Sequence, residues 1–146
     1  SSKGIGVLPM NILILDDEQY RHDEFKQALI GCCTYHVKTN RDAIYQMNKD
    51  GAEWDYVFLD YDLVDVEIDL LENDSLAFNS METADWIIRN YRAINMSTPK
   101  FVIHSLNPCG ASRLYEMLKD KGFQVVCIPH VWDKISRSNE GLLVQL

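Results

Sequence analysis

The sequence predicts an α/β domain, a doubly wound parallel sheet covered by helices on both faces. Three observations carry this. Short apolar runs alternate with stretches of helical periodicity along the chain. The central run, Tyr56-Val57-Phe58-Leu59, is apolar at every position, the pattern of a strand buried on both faces. Three runs also end in groups that can bind a metal or move a proton. Asn11 to Leu15 runs into Asp16-Asp17-Glu18, Tyr56 to Leu59 into Asp60-Tyr61-Asp62, and Phe101 to Ile103 into His104-Ser105. A bare carboxylate is too costly in a dry core, so each must stand at a strand end and face a crevice. The alternation and the three functional ends together predict a five-stranded parallel sheet of order 2-1-3-4-5, with right-handed crossovers.

The elements follow in order. Asn11 to Leu15 is the first strand. The first helix runs from the acidic triplet to about Ile30, with Arg21, Phe25, Ala28 and Leu29 on one face and Gly31 beyond its end. Tyr35 to Lys38 is a short second strand. Asn40 is placed to cap the second helix, which buries Ala43, Ile44 and Met47 and closes at Gly51. The central strand, Tyr56 to Leu59, comes next. Residues 64–79 form an acidic insertion. Val64 to Leu70 alternates apolar and acidic residues, as a half-exposed strand, a lid or a mobile loop would. Asn79-Ser80-Met81-Glu82 has the form of a capping box, and the helix it opens buries Ala84, Ile87, Ile88 and Tyr91. Lys100 to His104 is the fourth strand. Asn107 caps the next helix, Pro108 takes its first position, and Ala111, Leu114, Met117 and Leu118 form its apolar face. Gln124 to Ile128 is the fifth strand, and Val131 to Ser136 a last short helix. The tail from Leu142 to Leu146 packs on the body or frays.

At 146 residues the chain reads as one domain over 10–146, with residues 1–9 an expression remnant or a disordered extension. Its net charge of −8 argues against binding a long nucleic-acid backbone, which needs clustered Lys and Arg. No apolar run is long enough for a membrane span, and no signal peptide is visible. The four cysteines show no Cys-x-x-Cys spacing, so a reduced, cytoplasmic protein is expected. From Asp50 to Ile88 there is no Lys or Arg, a surface that draws a divalent cation and repels a bare phosphate.

Asp16, Asp17 and Asp60, with Asp62 close by, are hard oxygen ligands suited to Mg²⁺ or Mn²⁺. Asp16 and Asp17 could instead serve only the start of the first helix. His104 at a strand end can act as general acid or base, or be a buried histidine bonded to a carbonyl. The helix after it offers free N–H groups near Gly110, an anion site that Ser105, Asn107 and Arg113 could complete. His130 reads as surface, and Tyr61 and Trp86 as packing groups. His22 and His36 carry no supporting context.

With these residues assembled, the chain resembles a receiver domain of two-component signalling over nearly all of Asn11 to Ser136. Asp16-Asp17 and Asp60 fit that pattern. His104 stands where a receiver has Thr or Ser, and Ile128 stands before Pro129 where it has Lys. Leu59-Asp60-Tyr61-Asp62-Leu63 and His104-Ser105-Leu106-Asn107-Pro108 are similar to the signature stretches of the cyclic-phosphate processing receiver domains. The resemblance implies a flavodoxin-like three-layer sandwich. It also implies a metal-dependent phosphoesterase acting on a cyclic nucleotide or an RNA 2′,3′-cyclic phosphate end. Asp60 and His104 would be catalytic. The alternatives are a receiver phosphorylated on Asp60 and a silent module that binds a partner protein.

Overall fold

A computed structural model describes residues 10–49, 51–63, 79–91 and 98–137. Five parallel strands, β1 (Asn11–Leu15), β2 (Cys33–Val37), β3 (Tyr56–Leu59), β4 (Lys100–Ile103) and β5 (Val125–Cys127), form one sheet in the order β2-β1-β3-β4-β5. This is the predicted order. Because side chains alternate along a strand, each strand feeds two cores. Leu13, Leu15, Val57, Leu59, Phe101 and Ile103 meet helices α2 (Asn40–Met47), α3 (Met81–Trp86) and α4 (Pro108–Asp120). Ile12, Ile14, Tyr56, Phe58 and Val102 meet α1 (Gln19–Ala28) and α5 (Val131–Arg137). No helix among the described residues is long and apolar enough to cross a membrane.

Several element ends differ from expectation. Strand β2 starts two residues early and stops before Lys38, and β5 is shorter at both ends. Thr39, not Asn40, caps α2: its backbone is extended and its hydroxyl accepts the Asp42 N–H at 3.1 Å. That leaves the buried Asn40 side chain free to hold the start of α3. Its amide donates to the Asn79 carbonyl at 2.9 Å, and its oxygen accepts the Thr83 hydroxyl at 2.5 Å. The expected capping box is absent. Ser80 stands at the N-cap without a side-chain cap bond, because its hydroxyl donates to the Asp60 carbonyl at 2.6 Å. Helix α3 ends in a π-helical turn, Ile87–Tyr91, that sequence periodicity did not signal. Residues 64–78, most of the acidic insertion, lie outside the described residues, as do 1–9 and the tail. Asp62, shortly before the insertion, and Asn79, its last residue, form an antiparallel bridge.

Helix α4 starts as predicted, with Asn107 Oδ1 accepting the Gly110 N–H at 3.0 Å and Pro108 in the first turn. The reason for Gly110 is a packing contact. A Cβ there would fall inside the ring of Tyr61, which lies against the helix. Gly110→Ala should therefore destabilise the fold by about 1–3 kcal/mol through overpacking, although alanine is the better helix former. In a Tyr61→Ala background the same change should become neutral or stabilising. Denaturant unfolding of the four proteins measures this, and a stabilising Gly110→Ala in the wild-type background would refute the contact.

Candidate functional site

The alternation that builds the two cores also builds the site. Ile12 and Ile14, Phe58, and Val102 all face the α1 side of the sheet. Two residues beyond Ile14, Phe58 and Val102, the same parity brings Asp16, Asp60 and His104 to that face. Backbone bonds carry the register past the strand ends: the Asp60 N–H donates to the Leu15 carbonyl, and the His104 N–H to the Leu59 carbonyl, each at 3.0 Å. One carboxylate oxygen from each aspartate and a ring nitrogen of His104 lie within 4.8 Å of one another, and all three residues are buried.

The group that completes this cluster is Arg21, from the first turn of α1. Its Nη1 lies 3.1 Å from Asp60 Oδ2 and 3.4 Å from both oxygens of Asp16. Sequence periodicity had placed Arg21 beside Phe25, Ala28 and Leu29, and the side of the helix was right. Phe25 and Leu29 enter the core, whereas Arg21, nearer the strand ends, reaches the carboxylates. The signal was available: an arginine on the buried face of a helix that starts beside two acids needs a partner.

His104 is sealed rather than open to the crevice. Its Nε2 is 2.8 Å from Asp16 Oδ2, and its ring packs among Phe25, Phe58 and Trp132. Its Nδ1 is buried and has no partner among the described residues. Burial holds its pKa below the ordinary value against the pull of Asp16, so the ring is neutral and Nε2–H donates to the carboxylate. Burial pushes Asp16 upward, but the hydrogen bond from His104, the Glu18 N–H and Arg21 together hold it below its usual range. Asp60 goes the other way. Burial first and Asp16 second push its pKa up to about 7, against the opposing charge of Arg21. Burial works against the charge of Arg21, but the Tyr20 hydroxyl and the two carboxylates keep its pKa above the ordinary value.

His22 and His36, which had no context in sequence, support the site from below. His22 Nε2 is 2.7 Å from the Asp16 carbonyl, and the two Nδ1 atoms are 2.7 Å apart. A carbonyl only accepts, so His22 donates from Nε2 and its Nδ1 accepts from His36. His36 Nε2 then accepts from the Thr34 hydroxyl, at 3.1 Å. Both rings are neutral, their pKa values lowered first by burial and that of His36 to about 4. This chain fixes the Asp16 main chain, while His104 bonds its carboxylate.

The other expected residues lie further out. Asp17 is half-buried beside Asp16, and burial and that neighbour raise its pKa. Asp62 is exposed, and its Oδ2 accepts from Asn107 Nδ2 at 3.3 Å. The hydroxyl of Ser105 accepts the Asn107 N–H at 3.1 Å. The Gly110 N–H already has Asn107 as its acceptor, and Tyr61 covers that glycine. Arg113 is exposed on α4, and His130 is exposed. Two buried carboxylates with Asp17 alongside fit a hard divalent cation, and a guanidinium bonded to both shows that the pocket takes positive charge. His104 Nε2 fits less well as a ligand, since it would have to give up the N–H that Asp16 accepts.

The raised pKa of Asp60 gives a sign to test. Between the ordinary 3.8 and about 7 the folded protein holds a proton that the unfolded chain releases. That contribution is complete below the unfolded value and is lost as pH rises through about 7. In chelator, Asp60→Asn should gain stability relative to wild type as pH goes from 5 to 8, by on the order of 1–3 kcal/mol. Melting curves across that range check this, and a pH-independent difference would sink it.

Comparison with known proteins agrees with the fold. The signal receiver domain of a Luxo repressor protein from Vibrio parahaemolyticus is 22% identical, covers 94% of this chain and 92% of its own, and superposes with a TM-score of 0.60. The non-phosphorylated HemR receiver domain from Leptospira biflexa is 18% identical, with 94% and 95% covered and a TM-score of 0.60. A response regulator from Burkholderia pseudomallei with a phosphorylated aspartic acid, calcium ion and citrate is 13% identical, with 93% and 71% covered and a TM-score of 0.56. A search of curated protein sequences finds no match. At these identities the structures establish a receiver fold. The sequence profile of the Cyclic-phosphate processing Receiver domain matches residues 11–120, most of the chain, and the chain belongs to that family.

Proposed function

We propose that this domain processes a cyclic phosphate on a nucleotide or an RNA end, assisted by Mg²⁺ or Mn²⁺. One observation carries the reading. The strand ends present a buried carboxylate pair bonded to Arg21, with His104 and Ile128 where a phosphorylatable receiver has its hydroxyl and its lysine. Asp16 and Asp60 would hold the cation, with Asp17 assisting through water and Asp62 at the rim. The cation would polarise the phosphate and lower the pKa of a bound water. Arg21 supplies a planar, permanently charged donor for phosphate oxygens. His104 touches Asp16 and not the crevice, so it acts as a positioning residue that fixes that carboxylate. Ser105 and Asn107 shape the turn before α4. Gly110 N–H and Arg113 would reach a phosphate only after the Asn107 cap opens or the Arg113 side chain swings inward.

A phosphorylated receiver is the second reading. Asp60 at the end of β3 favours it, as does the fold shared with the Burkholderia regulator that carries a phosphorylated aspartic acid.

Two assays separate the readings. Acetyl phosphate with Mg²⁺ should leave Asp60 unlabelled, while a 2′,3′-cyclic nucleotide should be opened in a metal-dependent way. His104→Gln keeps an N–H for Asp16 and should retain most of the turnover. His104→Leu removes it and should lose roughly 10²-fold or more, the range for a misplaced catalytic group. Equal loss in both variants would make His104 the proton carrier itself. Stable label on Asp60 with no turnover of cyclic phosphates would hand the site to signalling.

A further inference from the structure

We propose that Arg21 is an exchangeable internal counter-ion: a divalent cation entering between Asp16 and Asp60 displaces its guanidinium, which then binds the phosphate of the substrate. This rests on the cation reading above and adds an order of events to it.

The geometry gives the reason for exchange. Nη1 of Arg21 stands 3.1 Å from Asp60 and 3.4 Å from Asp16, against the same carboxylate oxygens that a cation would need. A divalent ion and a guanidinium cannot share those oxygens without strong like-charge repulsion at this range. The side chain is also held on its outer side. Arg21 Nε donates to the hydroxyl of Tyr20 at 3.1 Å, its Cζ lies 5.5 Å from that ring, and Tyr20 is 56% exposed. The guanidinium is thus held between a buried acidic pocket and an exposed aromatic, on a side chain that is itself 15% exposed.

Charge then sets the order. With both aspartates ionised, two carboxylates against one guanidinium leave the pocket negative, and a phosphate anion is repelled. A divalent cation reverses that sign and frees a fork of N–H donors matched to two phosphate oxygens. Cation and phosphate should therefore bind with positive coupling, and by linkage each should tighten the other. The coupling should run through Arg21.

The test uses the full chain and needs no turnover. Mn²⁺ affinity is measured by electron paramagnetic resonance for wild type and Arg21→Gln, with and without inorganic phosphate. Without phosphate, Arg21→Gln should bind Mn²⁺ about tenfold more tightly, since the competitor is gone. Phosphate should tighten Mn²⁺ binding in wild type by roughly 5-fold or more, and not in the variant. Equal or weaker Mn²⁺ binding by Arg21→Gln overturns the exchange while leaving the cation reading intact. No Mn²⁺ binding by either protein overturns both. Should Arg21→Gln misfold, the Arg21 Nε–H resonance of wild type decides. A shift of that resonance on Mg²⁺ saturation supports displacement, and an unmoved resonance with Mg²⁺ bound overturns it.

Discussion

Two carboxylates buried side by side are the constraint on which the rest of this site depends. Taking one ion out of water costs several kcal/mol even after relaxation, and Asp16 and Asp60 are both almost wholly buried. The structure answers with a different device for each. Asp16 is ionised and surrounded by donors: His104 Nε2, the Glu18 N–H and Arg21. Asp60 has the Tyr61 N–H at 2.9 Å and Arg21 at 3.1 Å, and otherwise responds by holding its proton more tightly. The two acids have been driven apart in pKa, as happens when like charges share a low-dielectric space. An asymmetric pair of this kind is half-prepared for a cation, because only one of the two must lose a proton on binding.

The second consequence is rigidity around Asp16 and Asp60. Neither is held by its own hydrogen bonds alone. The Asp16 carbonyl accepts from His22, which is in turn held by His36 and Thr34. The Asp60 carbonyl accepts from the buried Ser80 hydroxyl, and Ser80 sits at the start of the helix that Asn40 clamps. Thus residues of α1, β2 and α2, with Ser80 before α3, belong to the bond chains that position two main-chain carbonyls. This is why the region between β3 and α3 departs from local rules. Ser80 stands at the N-cap of α3 without a side-chain cap bond, and Asn40 leaves the cap of α2 to Thr39, because both are engaged in fixing the site.

The fold and the centre of the site were legible for one reason. Strands buried on both faces are written as continuous apolar runs, and a charged residue after such a run has few places to go. Asn11 to Leu15 and Tyr56 to Leu59 were read to the residue, and Asp16, Asp60 and His104 were brought together as expected. What escaped were residues whose meaning depends on three-dimensional neighbours. Arg21 has the spacing of a core position and becomes a counter-ion only because α1 crosses the ends of β1 and β3. His22 and His36 are fourteen residues apart and unremarkable singly; one bond between their Nδ1 atoms makes them a brace. His104 was read as facing a crevice, but the aromatic rings of Phe25 and Trp132, from α1 and α5, close over it.

Phosphate recognition in this domain follows from the same packing. A helix N-terminus at a strand end is a general solution for anions, and α4 begins where such a site is expected. Yet two of its first donors are committed: Asn107 Oδ1 takes the Gly110 N–H, the Asn107 carbonyl takes the Ala111 N–H, and Tyr61 lies on the glycine. Those two donors are thereby closed to an incoming anion unless the cap opens. The positive charge that remains at the carboxylates is Arg21, and it is a side chain rather than a fixed dipole. A fixed dipole would attract phosphate at all times. A guanidinium engaged with two carboxylates is neutralised until something else takes its place, which makes anion affinity conditional on the occupancy of the acidic pocket.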